Sequence, residues 1–225
     1  NDLKNSIKYE NKNILYAMKA NSNFQILKML AKEGAGIDAV SLEEVEIALK
    51  AGFKPEKILF TGVNLSVEQM KKAIKKGVML NLGSLMQLKF YGEYFPETKV
   101  SIRINPDFGA GHHDHVVTGG RASKFGIFIS KEDKKSLEEI NKICNKYKIT
   151  IAGIHAHIGS GITEESKYIE LSEIILNIAK EFKNLEFIDI GGGIGVPYRE
   201  NQPPFDIKKF GDDITKAIND FSKKY

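Results

Sequence analysis

Short runs rich in Ile, Val and Phe alternate with longer segments of helical period along the whole chain, and this alternation constrains the fold more than any single motif. Strands are predicted near residues 14–20, 36–40, 58–61, 78–82, 100–105, 149–158 and 187–190. Helices are predicted over residues 23–32, 42–51, 67–76, 85–94, 132–146, 164–182 and 207–223. Two helix starts carry capping boxes, Ser41-x-x-Glu44 and Ser66-x-x-Gln69, and those helices stop at Gly52 and Gly77. A strict strand–helix repeat implies parallel strands joined by crossover helices. The solutions are a closed (β/α)8 barrel and an open doubly wound sheet, and 225 residues fill either as one large domain, 1–225.

Strand phase separates the two. In Ser101-Ile102-Arg103-Ile104-Asn105 the isoleucines share one face, which helices must cover, so Ser101, Arg103 and Asn105 point to the interior. The same phasing turns Asp38, Asn81, His155, His157 and Asp189 inward. Six strands then deliver Lys19, Asp38, Asn81, Arg103, His157 and Asp189 to one place, as a barrel with its site at the strand ends requires. An open sheet would spread them over two faces.

Composition sets the partners. The 33 Lys and Arg residues are interspersed with 29 Asp and Glu, and a net charge of +4 demands no nucleic acid. A lone Cys144 forms no internal disulfide, which suits a reducing cytoplasm. With neither an apolar run of membrane length nor a signal-peptide layout, the chain reads as soluble and cytoplasmic.

Four stretches carry chemistry. The first, Ile-Leu-Tyr-Ala-Met-Lys-Ala-Asn over residues 14–21, puts Lys19 at the mouth of an apolar strand. An ammonium held away from water gives up its proton more readily, and the free amine attacks carbonyls; the alternative is a lysine that snorkels to solvent. The second, Gly191-Gly192-Gly193-Ile194-Gly195, follows a strand and lets backbone N–H groups approach a phosphate. Val196 and Pro197 argue against a dinucleotide fingerprint there. The third, His157-Ile158-Gly159-Ser160-Gly161, offers an imidazole to stack on a planar ligand and a hydroxyl for phosphate, whereas His155 reads as a core histidine. The fourth, Gly111-His112-His113-Asp114-His115, invites a zinc reading but lacks the helical spacing of a hydrolase site, so no metal is assigned. A lysine, a phosphate loop, a histidine and acids at one mouth suit pyridoxal phosphate (PLP), which has both a carbonyl and a phosphate.

Six ordered segments carry a resemblance over nearly the whole chain: Tyr16-Ala17-Met18-Lys19-Ala20-Asn21, Gly36-Ile37-Asp38-Ala39-Val40-Ser41, Arg103-Ile104-Asn105-Pro106, Ser123-Lys124-Phe125-Gly126-Ile127, His155-Ala156-His157-Ile158-Gly159-Ser160 and Asp189-Ile190-Gly191-Gly192-Gly193. In these the chain resembles the PLP-dependent amino-acid decarboxylases of the alanine-racemase-like barrel fold, fold type III. The resemblance implies that Lys19 holds PLP, that His157 stacks on its ring, and that Ser160 with Gly191, Gly192 and Gly193 receives the phosphate. Asp38 and Arg103 would support the site, with Lys19 and His157 the catalytic pair. It implies decarboxylation of meso-diaminopimelate to L-lysine by a homodimer. Decarboxylation of another basic amino acid or carboxylated polyamine precursor is the alternative within the fold. A non-catalytic PLP-binding barrel and a metal-dependent barrel hydrolase are the alternatives outside it.

Gly161 stands where many diaminopimelate-acting members carry glutamine, and Glu43 where many carry glycine. The resemblance further implies a (β/α)8 TIM-type barrel with seven of its eight strands present. The eighth strand, with its Glu-Pro-Gly-Arg segment, and a C-terminal β-domain have no counterpart in the sequence. The expectation is therefore a barrel portion, truncated at both ends and inactive alone.

Overall fold

The computed structural model describes residues 2–109, 119–120, 123–130 and 134–224. Among them the strands are β1 (Leu15–Ala17), β2 (Gly36–Ala39), β3 (Ile58–Phe60), β4 (Met79–Leu82), β5 (Lys99–Asn105), β6 (Ile127–Phe128), β7 (Thr150–His155) and β8 (Phe187–Asp189). The helices are α1 (Asp2–Ser6), α2 (Phe24–Lys32), α3 (Leu42–Ala51), α4 (Val67–Lys75), α5 (Leu85–Tyr94), α6 (Lys135–Tyr147), α7 (Glu165–Ala179) and α8 (Ile207–Ser222). Hydrogen-bonded neighbours run in the order β1-β2-β3-β4-β5-β7-β8, with β6 paired to β5 off that path. The pairs from β1–β2 through β5–β6 are parallel, with Ala17 opposite Asp38, Asp38 opposite Leu59, and Asn81 opposite Ser101.

Packing divides the chain into two compact units, one of Asn13–Arg103 with Lys135–Gly153, the other of Asn1–Lys12, Ile104–Lys134 and Ile154–Tyr225. In the first unit Ile37, Phe60, Leu80, Leu82, Val100 and Ile102 are buried from the sheet, and Leu27, Val45, Met70 and Leu88 from the helices. Each such side chain contributes about 1.5–3 kcal/mol by leaving water. The expected capping signals are realised there. Ser66 and Gln69 form the reciprocal box of α4, while the Ser41 hydroxyl accepts from Glu44 N–H and the Glu44 carboxylate reaches back to Val40 N–H. Gly52 ends α3 in the left-handed conformation.

In the second unit α7 and α8 pack together and α1 lies on α8. Tyr168, Phe205 and Phe210 form an aromatic cluster with centroids 5.4–5.8 Å apart.

Four expectations need correction. The strand expected over residues 14–20 ends at Ala17, and Met18–Ala20 forms a 3₁₀ turn closed by Asn21 N–H donating to the Met18 carbonyl. Burial of Met18 draws the chain off the extended path. The strand expected over residues 149–158 stops at His155, so His157 sits in the following loop. Beyond the seven predicted strands there is the two-residue β6, and α1 was not predicted at all. Among the described residues no helix is long and apolar enough to cross a membrane.

Candidate cofactor site

In the first unit the site begins with Lys19. It stands exposed on the 3₁₀ turn after β1, not at the mouth of a buried strand as expected. The turn packs against β2, whose Asp38 is in register with Ala17. Asp38 is half-buried, and its carboxylate accepts from the Thr61 hydroxyl at 2.8 Å. Thr61 in turn accepts from Asn81 Nδ2 at 3.1 Å, and the Asn81 amide oxygen accepts from the Ser101 hydroxyl at 3.1 Å. Asn81 and Ser101 are fully buried, and Arg103 on the same strand as Ser101 retains 9% of its exposure.

β2, the residue just past β3, β4 and β5 thus contribute one link each to a polar ladder, and every proton in it points toward the carboxylate. The inward phase expected of Asp38, Asn81 and Ser101 holds in this ladder. Thr61 was not singled out from sequence. Its signal was a hydroxyl just past a strand end, beside strands that end in Asp38 and Asn81.

Packing of the helices onto these strand ends uses Gln87, a buried side chain that accepts from Gly83 N–H at 2.8 Å and donates to the Gly62 carbonyl at 3.3 Å. It ties the segment after β3 to the segment after β4.

In the second unit the glycine loop folds onto the segment after β7. Gly191 and Gly193 have φ of +74° and +93°. A Cβ on Gly193 would lie 2.0 Å from the Gly159 carbonyl oxygen, and one on Gly191 would lie 2.5 Å from the Ala156 oxygen and 3.0 Å from His157 Cα. Only glycine lets the two segments approach this closely. A Cβ on Gly192, by contrast, would meet no heavy atom within 4 Å. Ile162 and Ile194 bridge the segments, with Ile162 N–H donating to Gly193 and Gly195 N–H to Ile162.

His157, Ser160, Gly191, Gly192 and Gly193 are therefore brought together, with His157 half-buried and Ser160 and Gly192 exposed. His155 is buried, as expected of a core histidine.

Asp189 Oδ1 accepts from Gly191 N–H at 2.7 Å, so that amide is bonded within the chain. Gly192 and Gly193 follow at the turn, and a Cβ on Gly193 would lie 3.0 Å from Ser160 Cα. The backbone over Gly192 is open, and a glycine turn of this kind lets N–H groups approach an anion without side-chain obstruction.

Asn105, expected to face the interior, is buried and clamps Gly120, accepting its N–H at 3.0 Å and donating to its carbonyl at 2.9 Å. His112, His113, Asp114 and His115, weighed as metal ligands, lie outside the described residues. Among the described residues no group of three or more His, Cys, Asp or Glu side chains is placed to hold a metal.

Residues 2–225 match the family described as pyridoxal-dependent decarboxylase, pyridoxal binding domain. A diaminopimelate decarboxylase of Methanothermobacter thermautotrophicus is 39% identical over 223 residues, covering 96% of this chain and 51% of that protein. One from Buchnera aphidicola subsp. Acyrthosiphon pisum is 39% identical over 203 residues, 88% of this chain and 46% of the relative. The crystal structure of diaminopimelate decarboxylase from Helicobacter pylori complexed with L-lysine superposes with a TM-score of 0.87 at 35% identity, covering 97% of this chain and 56% of that one. The chain spans about half the length of the curated relatives it matches.

Proposed function

Because the chain belongs to the pyridoxal-dependent decarboxylases and has the α/β fold of their pyridoxal-binding barrel, we propose that it is the cofactor-holding part of a PLP-dependent carboxy-lyase acting on meso-diaminopimelate. The observation that carries this reading is the glycine loop beside His157, where the backbone leaves open space over Gly192. Residues 2–225 act in it as one barrel domain.

When bound, PLP supplies a carbonyl for amine capture and a conjugated ring that takes up the electron pair left as CO₂ departs. The chain supplies the rest. Lys19 would offer its amine to that carbonyl from an exposed turn. His157, whose Cα would lie 3.0 Å from a Cβ on Gly191, would offer its imidazole to a planar ring. Ser160, Gly192 and Gly193 receive the phosphate, while Gly191 holds the loop in shape through Asp189. Asp38 and Arg103 provide fixed charge of opposite sign on β2 and β5.

The substrate choice rests on relatives at 39% identity named for diaminopimelate and on a structural neighbour complexed with L-lysine, the amino acid such a reaction releases. The same reading makes the full-length protein a cytoplasmic homodimer acting on a small amino acid, with neither nucleic acid nor membrane as partner.

Borohydride reduction of the full-length protein with PLP should fix the cofactor on the peptide containing Lys19, and Lys19→Ala should leave the melt unchanged while abolishing that label. Label on another lysine overturns the assignment. CO₂ release measured against a panel of amino acids tests the substrate, with greater turnover of ornithine, arginine or lysine than of meso-diaminopimelate counting against it.

A further inference from the structure

We propose that Thr61 is a positioning residue for the cofactor site, fixing the Asp38 carboxylate from behind; this rests on the reading of Asp38 as a supporting residue of that site. Thr61 has one proton to give and two lone pairs to offer. Asn81 Nδ2 donates onto its oxygen at 3.1 Å, so the hydroxyl proton is directed at Asp38 Oδ1, 2.8 Å away. The direction is set by the carboxylate, which only accepts: Thr61 gives it the hydroxyl proton and accepts from Asn81 Nδ2, which leaves the buried Asn81 amide oxygen to accept from the Ser101 hydroxyl at 3.1 Å. Three successive donors polarise one another in the same sense, and the last bond, to a charged group, is the strongest of the set.

The consequence is an anion of fixed orientation on β2, one strand from the turn that carries Lys19. A carboxylate at a strand end has two rotamer-linked oxygens to present. Thr61 occupies Oδ1 and so selects which face Asp38 turns to a ligand. Thr61 itself touches neither the cofactor nor the reacting atoms in this reading. It acts through Asp38.

The experiment is a PLP titration of the cofactor-free full-length protein, followed by absorbance, with each variant's thermal melt recorded alongside. Thr61→Val, which keeps shape and removes the hydroxyl, should weaken PLP affinity about tenfold, the effect expected for loss of a hydrogen bond to a charged group. Thr61→Ser should retain affinity within about twofold, since the donor remains. Thr61→Ala removes the hydroxyl by a second route should Thr61→Val melt early. In an Asp38→Ala background Thr61→Val should add nothing further, whereas a general structural role would weaken binding in both backgrounds.

Full affinity in both Thr61→Val and Thr61→Ala, with weakened affinity in Asp38→Ala, overturns the role of Thr61 alone. Full affinity in Asp38→Ala overturns the assignment of Asp38, and the inference with it. Equal losses from Thr61→Val with and without Asp38 also overturn it.

Discussion

The Tyr168 hydroxyl donates to the Gly192 carbonyl at 3.2 Å, so a residue buried in the α7–α8 aromatic cluster holds the outermost turn of the glycine loop. Burial pushes the Tyr168 phenol well above its ordinary range, so it remains a donor at every working pH. Tyr168→Phe keeps the ring contacts with Phe205 and Phe210 and removes this one bond. The expected result is a stability loss of about 0.5–1.5 kcal/mol in a thermal melt and a several-fold weaker PLP affinity. Unchanged affinity would disconnect Tyr168 from the loop's role.

Gly192 and Gly193 are adjacent but should respond in opposite ways to alanine. At Gly193 the new Cβ would lie 2.0 Å from the Gly159 carbonyl oxygen at a φ of +93°, so Gly193→Ala should destabilise the fold by at least about 1–3 kcal/mol. At Gly192 nothing lies within 4 Å, and Gly192→Ala should melt within about 0.5 kcal/mol of the parent. Its methyl group occupies that open space instead, so PLP affinity should fall. A Gly192→Ala protein that binds PLP normally would move the phosphate elsewhere.

Cys144 on α6 has its thiol pushed up to about 11 by burial. The folded chain therefore holds this proton more tightly than the unfolded one. The stability that follows is complete below the ordinary thiol value of 9.0 and is lost as pH rises through about 11. Because the thiolate is the nucleophile, iodoacetamide at pH 8 should label the native protein far more slowly than the denatured one. Equal rates would show that Cys144 is not shielded.

The Lys209 ammonium on α8 bonds the Glu165 carboxylate at the start of α7. That bond, with help from a backbone amide, holds Glu165 below the usual carboxylate range, and the same bond raises Lys209. Glu165 contributes fully above its ordinary value of 4.5 and loses its share as pH falls through its lowered value; Lys209 contributes fully below 10.5 and loses its share as pH rises past its raised one. Glu165→Gln should lower the Tm at pH 7 by about 1–2 °C, with the difference shrinking in high salt and in acid. A difference independent of pH would assign the effect to packing.

Much of the molecule was legible because local rules and tertiary packing agree. Ser66 and Gln69 cap α4 as their spacing predicts, and Ser101 reaches Asn81 on the neighbouring strand, in the polar row that alternation assigns to both. Lys19 was misplaced for a physical reason: Tyr16 and Met18 favour an extended strand, yet burial of Met18 turns the chain after Ala17. β6 escaped because two residues after Gly126 carry no periodicity, and their pairing with Ile104 and Asn105 is non-local. The commitment of Gly191 to Asp189 was equally invisible, since only geometry shows which amide of a glycine run is already bonded.

The one-way order of donors from Ser101 through Asn81 and Thr61 to Asp38 restricts how these four positions can drift apart in descent. The chain of protons has to end on a group that only accepts. A lysine or arginine at position 38 would set donor against donor, and restoring the ladder would require Thr61, Asn81 and Ser101 all to reverse. Substitutions at these sites should therefore arrive in company, with changes at Asp38 scarcest of all, so that the ladder binds four separated stretches of sequence into a single unit of inheritance.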